Sequence, residues 1–159
     1  MARSTQLADA SATTAAPPLP PPATSRLRLA PGGAGRGVMD GGWWPRSRDA
    51  AAELTDLVAA LAERPGLTAT RLIIDFDDWD QVPLRIAVPG REIRVGWLPH
   101  LDHMVAVTCG RAEPLLLLVV PPATHPASAE AALAKAAAGV GAALPEEILA
   151  SCDISTARP

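Results

Sequence analysis

Apolar residues recur along this chain at two periods, and the change from one to the other marks its elements. Ala50, Leu54, Leu57, Val58 and Leu61 fall at helical spacing on one face, and Glu53, Asp56 and Glu63 take the other, as in a helix lying on a sheet. Asp49 or Ser47 can cap this helix, and Arg64, Pro65 and Gly66 end it. From residue 70 the period becomes two. In RLIIDFD, Leu72, Ile74 and Phe76 point one way and Ile73, Asp75 and Asp77 the other. VPLRIAV and REIRVGW, joined by Pro89-Gly90, predict a hairpin with a type II turn. Val88 then faces Arg91, which sets Ile86 opposite Ile93, Leu84 opposite Val95 and Val82 opposite Trp97, all on one face. The same register opposes Arg85 to Arg94 on the other face, where like charges repel. Asp75 on the preceding strand is expected to compensate, in an Asp-Arg-Arg row; a bound anion is the alternative.

Shorter signals complete the chain. RLRL at Arg26–Leu29 reads as a first strand, followed by the turn-rich APGGAGRG. HMVAVTC and PLLLLVV flank the turn GRAE, and residues 115–120 are apolar on both faces, which suits a strand interior to the sheet. THPASAEAALAKAAA predicts a second helix with Pro126 in its first turn and Thr124 or His125 at its cap. Its stripe is mostly alanine, so it can approach the sheet closely. Strands in runs, with helices before and after, predict an α+β fold: a mostly antiparallel meander sheet of five to six strands with two helices packed on it. Residues 1–24, rich in Ala, Ser, Thr and Pro, are expected to be a disordered tail, 25–138 a single domain, and 139–159 a C-terminal tail with a short helix at PEEILAS.

Composition narrows the function. The 159 residues carry a net charge of -3, too little basic surface for nucleic acid or anionic lipid to be the expected partner. Neither a secretory signal nor a membrane-spanning run is found, and Cys109 and Cys152 form neither a disulfide framework nor a zinc ribbon. A cytoplasmic protein follows as the expectation.

Candidate chemistry concentrates in two loops. RLIIDFDDWD invites comparison with the first motif of the haloacid-dehalogenase phosphatases, since Asp75 and Asp77 have the Asp-x-Asp spacing. Asp78 and Trp79 depart from the residues that follow in that motif, and the hairpins downstream do not suit its parallel core; an acidic turn explains the stretch. His100, Asp102 and His103 cluster in HLDH, but without the second ligand pair that zinc requires they read as loop residues. No metal and no cofactor are implied.

DGGWWPRSRD raises the sharper question, because it places two adjacent tryptophans in a chain with no tyrosine and one phenylalanine. Pro45 favours an extended Trp44, so the rings of Trp43 and Trp44 should point to opposite sides. Arg46, Ser47 and Arg48 then lead into a helix N-terminus, which favours an anion. That anion can be the chain's own turn, with Asp78, Trp79 and Asp80 meeting the arginine loop in a structural latch. It can instead be a small phosphorylated or carboxylated ligand held by Arg46 and Arg48, with a tryptophan stacking on it. The first reading makes the protein a non-enzymatic binding or regulatory module with a protein partner or other contact at the Trp/Arg loop; the second makes it an enzyme or binder of small anions.

Taken together, RLRLAP, DGGWWPRSRD, DDWD and LLLLVVPPATHPASAEAALA resemble a family of small uncharacterised actinobacterial proteins with a domain of unknown function, over residues 25–138. Trp43–Arg48 and the Trp79–Asp80 pair carry the likeness. It implies a bacterial, cytoplasmic setting and no catalytic residue.

Overall fold

The period-two segments pair into one mixed sheet. The structure, a computed structural model, describes residues 26–30, 39–98, 101–111, 113–138 and 144–155. In chain order the elements are β1 (Leu27–Leu29), β2 (Gly41–Trp43), α1 (Ala50–Ala62), β3 (Arg71–Ile74), a 3-10 turn (Phe76–Asp78), β4 (Arg85–Val88), β5 (Arg91–Trp97), β6 (Met104–Thr108), β7 (Leu115–Val119), α2 (Pro126–Ala138) and α3 (Pro145–Ser151). The N-terminal tail, most of the glycine-rich turn after β1, and His100 lie outside the described residues.

The α+β class is as expected, but the sheet is not a simple meander. Its seven strands run in the order β1-β2-β7-β6-β3-β5-β4. Two neighbouring pairs, β2 with β7 and β3 with β5, are parallel. The unexpected member is β2, whose Gly41-Gly42 start has low strand propensity and reads as loop. The second difference comes from the hairpin, which docks by β5 rather than β4. The chain crosses from the end of β3 to the far edge, descends β4 and returns along β5 in the direction of β3.

The hairpin itself has the register that its turn requires: Val88 faces Arg91, Ile86 faces Ile93 and Arg85 faces Arg94. Gly90 has φ +81°, the left-handed value that a type II turn demands at its third residue. Two expectations about side chains fail. Leu84 and Trp97 are not covered, being 69% and 44% exposed. Asp75 does not join the arginine row. The parallel register sets Arg71 beside Arg94 and carries Asp75 past the strand end, where it is buried as the cap of the 3-10 turn.

The sheet separates two cores. On one side Leu54, Leu57 and Leu61 of α1 pack on Leu72, Ile74, Ile93, Val95, Val105, Val107 and Leu117. The three helix leucines are fully buried, each worth about 1.5–3 kcal/mol of transfer free energy. On the other side α2 covers β1, β2 and β7, and its Ala129, Ala132, Leu133 and Ala136 form a second core with Leu118 and Val120. The third helix belongs to this layer: Ile148, Leu149, Cys152 and Ile154 are buried in the second core, so PEEILAS is packed structure. A cap forms at α2 through His125, whose Nδ1 accepts from the amide of Ala127 at 3.3 Å.

One end of the sheet gathers the residues of interest. Strands β2, β3, β5 and β7 all finish there and β1 and β6 start there, as the registers Leu27 to Trp43, Trp43 to Val119, Met104 to Leu118, Ile74 to Val105 and Ile74 to Trp97 require.

Candidate functional site

Trp43 and Trp44 enter different cores. Trp43, the last residue of β2, is 3% exposed under α1 and stacks on Trp79 with ring centroids 5.6 Å apart and planes at 27°. Trp44, 8% exposed, lies in the second core beside Leu118 and Val120. Pro45 behind it is buried. The extended backbone is held on both sides: the Trp44 amide donates to the carbonyl of Arg26 at 2.8 Å, and the Trp43 carbonyl accepts from Val120 at 2.9 Å.

Arg26 closes over this loop. Its guanidinium carbon sits 3.8 Å from the centre of the Trp44 ring, a cation–π distance. Its Nε donates to the Trp44 carbonyl at 2.7 Å and its Nη2 to the Pro45 carbonyl at 3.1 Å. Burial lowers the Arg26 pKa below the ordinary arginine value; the Arg46 charge adds to the depression, and Glu53 opposes it.

The anion at the start of α1 is part of the chain. Asp49 is the N-cap, accepting from the Ala52 amide at 3.4 Å. Glu53, 8% exposed, takes the Arg46 amide on Oε1 at 2.9 Å and the Ser47 hydroxyl on Oε2 at 2.8 Å. Two donors of the loop ahead of the helix are thus satisfied by a side chain of its first turn. This corrects the placement of Glu53 on the solvated face. Its spacing carried the signal: Glu53 stands three residues after Ala50 and four before Leu57, on the buried stripe.

Arg48 and the acidic turn meet. The Arg48 Nε lies 2.9 Å from Asp80 Oδ1 and its Nη2 donates to the Asp77 carbonyl at 3.2 Å. The Asp80 amide returns a bond to the Arg48 carbonyl at 3.1 Å, and Asp49 and Gln81 form a β-bridge beside it. Trp79 is buried beneath this junction, against Trp43. Asp78 turns the other way, with Oδ1 3.9 Å from Nδ1 of His103; both side chains are nearly covered, and His103 has φ 60°. The His103 carbonyl accepts from Val119 at 2.7 Å, so the residue joins the acidic turn to the end of β7. Neither Arg26 nor this His103 contact was legible in the sequence, because each is created by strand order.

Phe76 leaves the strand face that the alternation assigns to it. The 3-10 turn lifts it out to 50% exposure, where it lies 5.3 Å from the half-exposed Trp97 ring. Asp75 Oδ1 accepts from the Asp77 amide at 3.2 Å, so the first carboxylate of the Asp-x-Asp pair is a turn cap.

Arg46 remains exposed at the rim. A cleft of about 310 Å³ lies elsewhere, between the start of α2 and the segment after α3, lined by Pro121, Thr124, His125, Ser128, Asp153 and Ile154 among others; none of the loop residues above lines it. Among the described residues no group of three or more His, Cys, Asp or Glu is placed to hold a metal.

No curated protein and no solved structure matches the chain. Residues 26–136, from the arginine that closes over Trp44 to the alanine stripe of α2, match the model of DUF5994, described as a family of unknown function, and the chain belongs to that family.

Proposed function

We propose that this protein is a cytoplasmic, non-enzymatic binding or regulatory module, and that Trp43, Trp44, Arg46, Ser47, Arg48, Asp78, Trp79 and Asp80 form a latch that shapes its contact surface. The observation that carries this reading is the burial of the two adjacent rings in opposite cores, 3% and 8% exposed. A ring needed for stacking on a ligand has to be reachable, and these two are spent on packing. The same holds for the polar groups: Glu53 occupies the donors ahead of α1, and Asp80 and the Asp77 carbonyl occupy Arg48. Arg46, the Arg48–Asp80 pair and the Phe76–Trp97 ring pair stand exposed at this end of the sheet, and these form the contact surface. Two buried free thiols, Cys109 and Cys152, suit a reducing compartment. No described helix is long and apolar enough to cross a membrane.

The test is a thermal-shift screen of the purified protein against nucleotides, sugar phosphates and small carboxylic acids, repeated on Arg46→Ala. The module reading expects no specific shift in either protein. A saturable rise in melting temperature that Arg46→Ala abolishes would replace it with the small-anion site at the start of α1.

A further inference from the structure

The strand registers set three arginines side by side. Arg85 of β4 faces Arg94 of β5, and Arg94 faces Arg71 of β3. Adjacent strands lie about 4.8 Å apart, so three cationic stems rise from a row about 10 Å long. All three residues are exposed. Their neighbours Leu72, Ile86, Ile93 and Val95 face the α1 core, which turns the arginines to the opposite side of the sheet. On that side α2 lies over β1, β2 and β7, at the other end of the strand order.

Among the described residues one carboxylate pairs with the row. Glu92 sits 3.6 Å from Arg85, with both side chains more than half exposed. Among the described residues Arg71 and Arg94 make no ion pair. Two residues further along the strands the same face becomes apolar. Ile73 stands in register with Gly96 and Ala106, Leu116 follows beyond Ala106, and alternation brings half-exposed Leu98 to the same side. A cationic row thus borders an apolar strip whose backbone lies about 7 Å further on, and the Arg71 guanidinium leans toward Gly96 at the edge of that strip.

Three occupants can be weighed. A second copy docked sheet to sheet about a two-fold axis sets each arginine row against either the other row or the other apolar strip, and offers it no counter-charge in either case. A polynucleotide meets a chain of net charge -3 and a strip without a ring to stack on, since Trp97 alternates to the α1 side. An amphipathic helix with Asp or Glu along one flank satisfies both features at once.

We propose that the face of β3, β4 and β5 turned away from α1 docks an acidic amphipathic helix of a partner protein, with carboxylates on Arg71 and Arg94 and an apolar stripe on Ile73, Leu98 and Leu116. The proposal uses no residue of the Trp/Arg loop and stands apart from the function assigned to it.

The full chain is titrated, by fluorescence anisotropy, against three labelled probes. These are a synthetic helix of about 18 residues with Leu and Ala on one face and Glu on the other, a scrambled peptide of the same composition, and oligo-dT. The amphipathic peptide is expected to bind at least about tenfold more tightly than either control. R71A/R94A weakens it at least about tenfold without lowering the melting temperature. R71E/R94E transfers the preference to a peptide with Lys in place of Glu. Equal binding of the scrambled peptide, indifference to both double variants, or no binding up to about 1 mM overturns the proposal. Tighter binding of oligo-dT assigns the face to a polynucleotide and overturns it as well.

Discussion

Trp43 and Trp44 are neighbours in the chain and are buried on opposite sides of the sheet, the first against Trp79 beneath α1 and the second beneath α2 with Arg26 over its ring. A two-residue segment therefore spans both layers. Its energetic signature is separable: Trp43 and Trp79 share a contact, whereas the two adjacent rings have a sheet between them. Trp43→Leu and Trp79→Leu are expected to be non-additive by about 0.5–1.5 kcal/mol in a double-mutant cycle, the usual worth of an aromatic pair. Trp43→Leu and Trp44→Leu are expected to add within about 0.5 kcal/mol. Urea denaturation of the single and double variants measures both. Strong coupling between the neighbours would mean that the loop moves as one body and that the sheet does not isolate its two faces.

Glu53 should matter more than the better-looking ion pair. The Arg48–Asp80 pair has ideal length but is exposed, 47% and 71% by side chain, so removing it with Asp80→Ala costs under about 1 kcal/mol. Glu53→Ala leaves the Arg46 amide and the Ser47 hydroxyl without their acceptor in a partly buried site, at about 2–3 kcal/mol. Glu53→Gln keeps one acceptor oxygen and should fall between the two. Equal effects of Asp80→Ala and Glu53→Ala on the denaturation midpoint would show that the carboxylate is not needed at the start of α1.

How far the sequence discloses this arrangement depends on whether a feature is local. The α1 stripe, the register set by Pro89-Gly90 and the divergence of the rings forced by Pro45 are all consequences of residues within one turn or hairpin, and they are readable. The placement of Arg71 in the arginine row is not, because it depends on β5 docking beside β3. The strand at Gly41–Trp43 was hidden for another reason: its glycines lack the side chains from which strands are recognised, and the need for them appears only when β1 and α2 are in place. Phe76 continues the alternation of its segment on paper, yet Asp75 caps a turn there and ends the strand.

The arginine row has a cost of its own. With Arg94 between Arg71 and Arg85 and, among the described residues, only Glu92 paired with the row, Arg94→Thr removes two like-charge neighbours from adjacent strands. It is expected to stabilise the protein by about 0.2–1 kcal/mol in low salt. Added salt screens the repulsion in the natural chain, so the gain should shrink as ionic strength rises through about 0.15 M, where the screening length is about 8 Å. Melting temperatures of both proteins across a salt series test this. A loss of stability on Arg94→Thr at every salt concentration would show that the guanidinium stem, by covering apolar surface, outweighs the repulsion.

Cys109 gives a pH signature. It is buried at the end of β6, and burial raises its thiol pKa above the ordinary value of 9.0. The unfolded thiol ionises first, so the neutral form stabilises the native state below about pH 9 and that contribution is lost as pH climbs beyond it. Cys109→Ser should flatten the decline in melting temperature above that pH. Thiolate absorbance at 240 nm in the native Cys152→Ser variant, which isolates Cys109, should likewise appear at higher pH than in the same chain in urea.

Gly41 and Gly42 explain why the tryptophans are preceded by a glycine pair. A β-carbon on Gly41 would lie 2.1 Å from the carbonyl oxygen of Arg28 in β1, inside any permitted contact and against backbone that cannot swing away. On Gly42 it would meet the Leu133 side chain at 3.0 Å and the Ala136 methyl at 3.2 Å, so α2 rests directly on this glycine. The two positions therefore differ in kind. Gly42→Ala can be absorbed by a small outward shift of α2 and should cost about 1–3 kcal/mol, the usual range for overpacking. Gly41→Ala must part β1 from β2, and with β1 goes Arg26, the cation on Trp44. The expected result is a larger loss of stability, above about 3 kcal/mol, together with a change in tryptophan fluorescence as Trp44 is uncovered. If Gly41→Ala melts like the natural protein and keeps its emission spectrum, β1 does not pair with β2 through Gly41, and Arg26 does not hold the Trp44 ring.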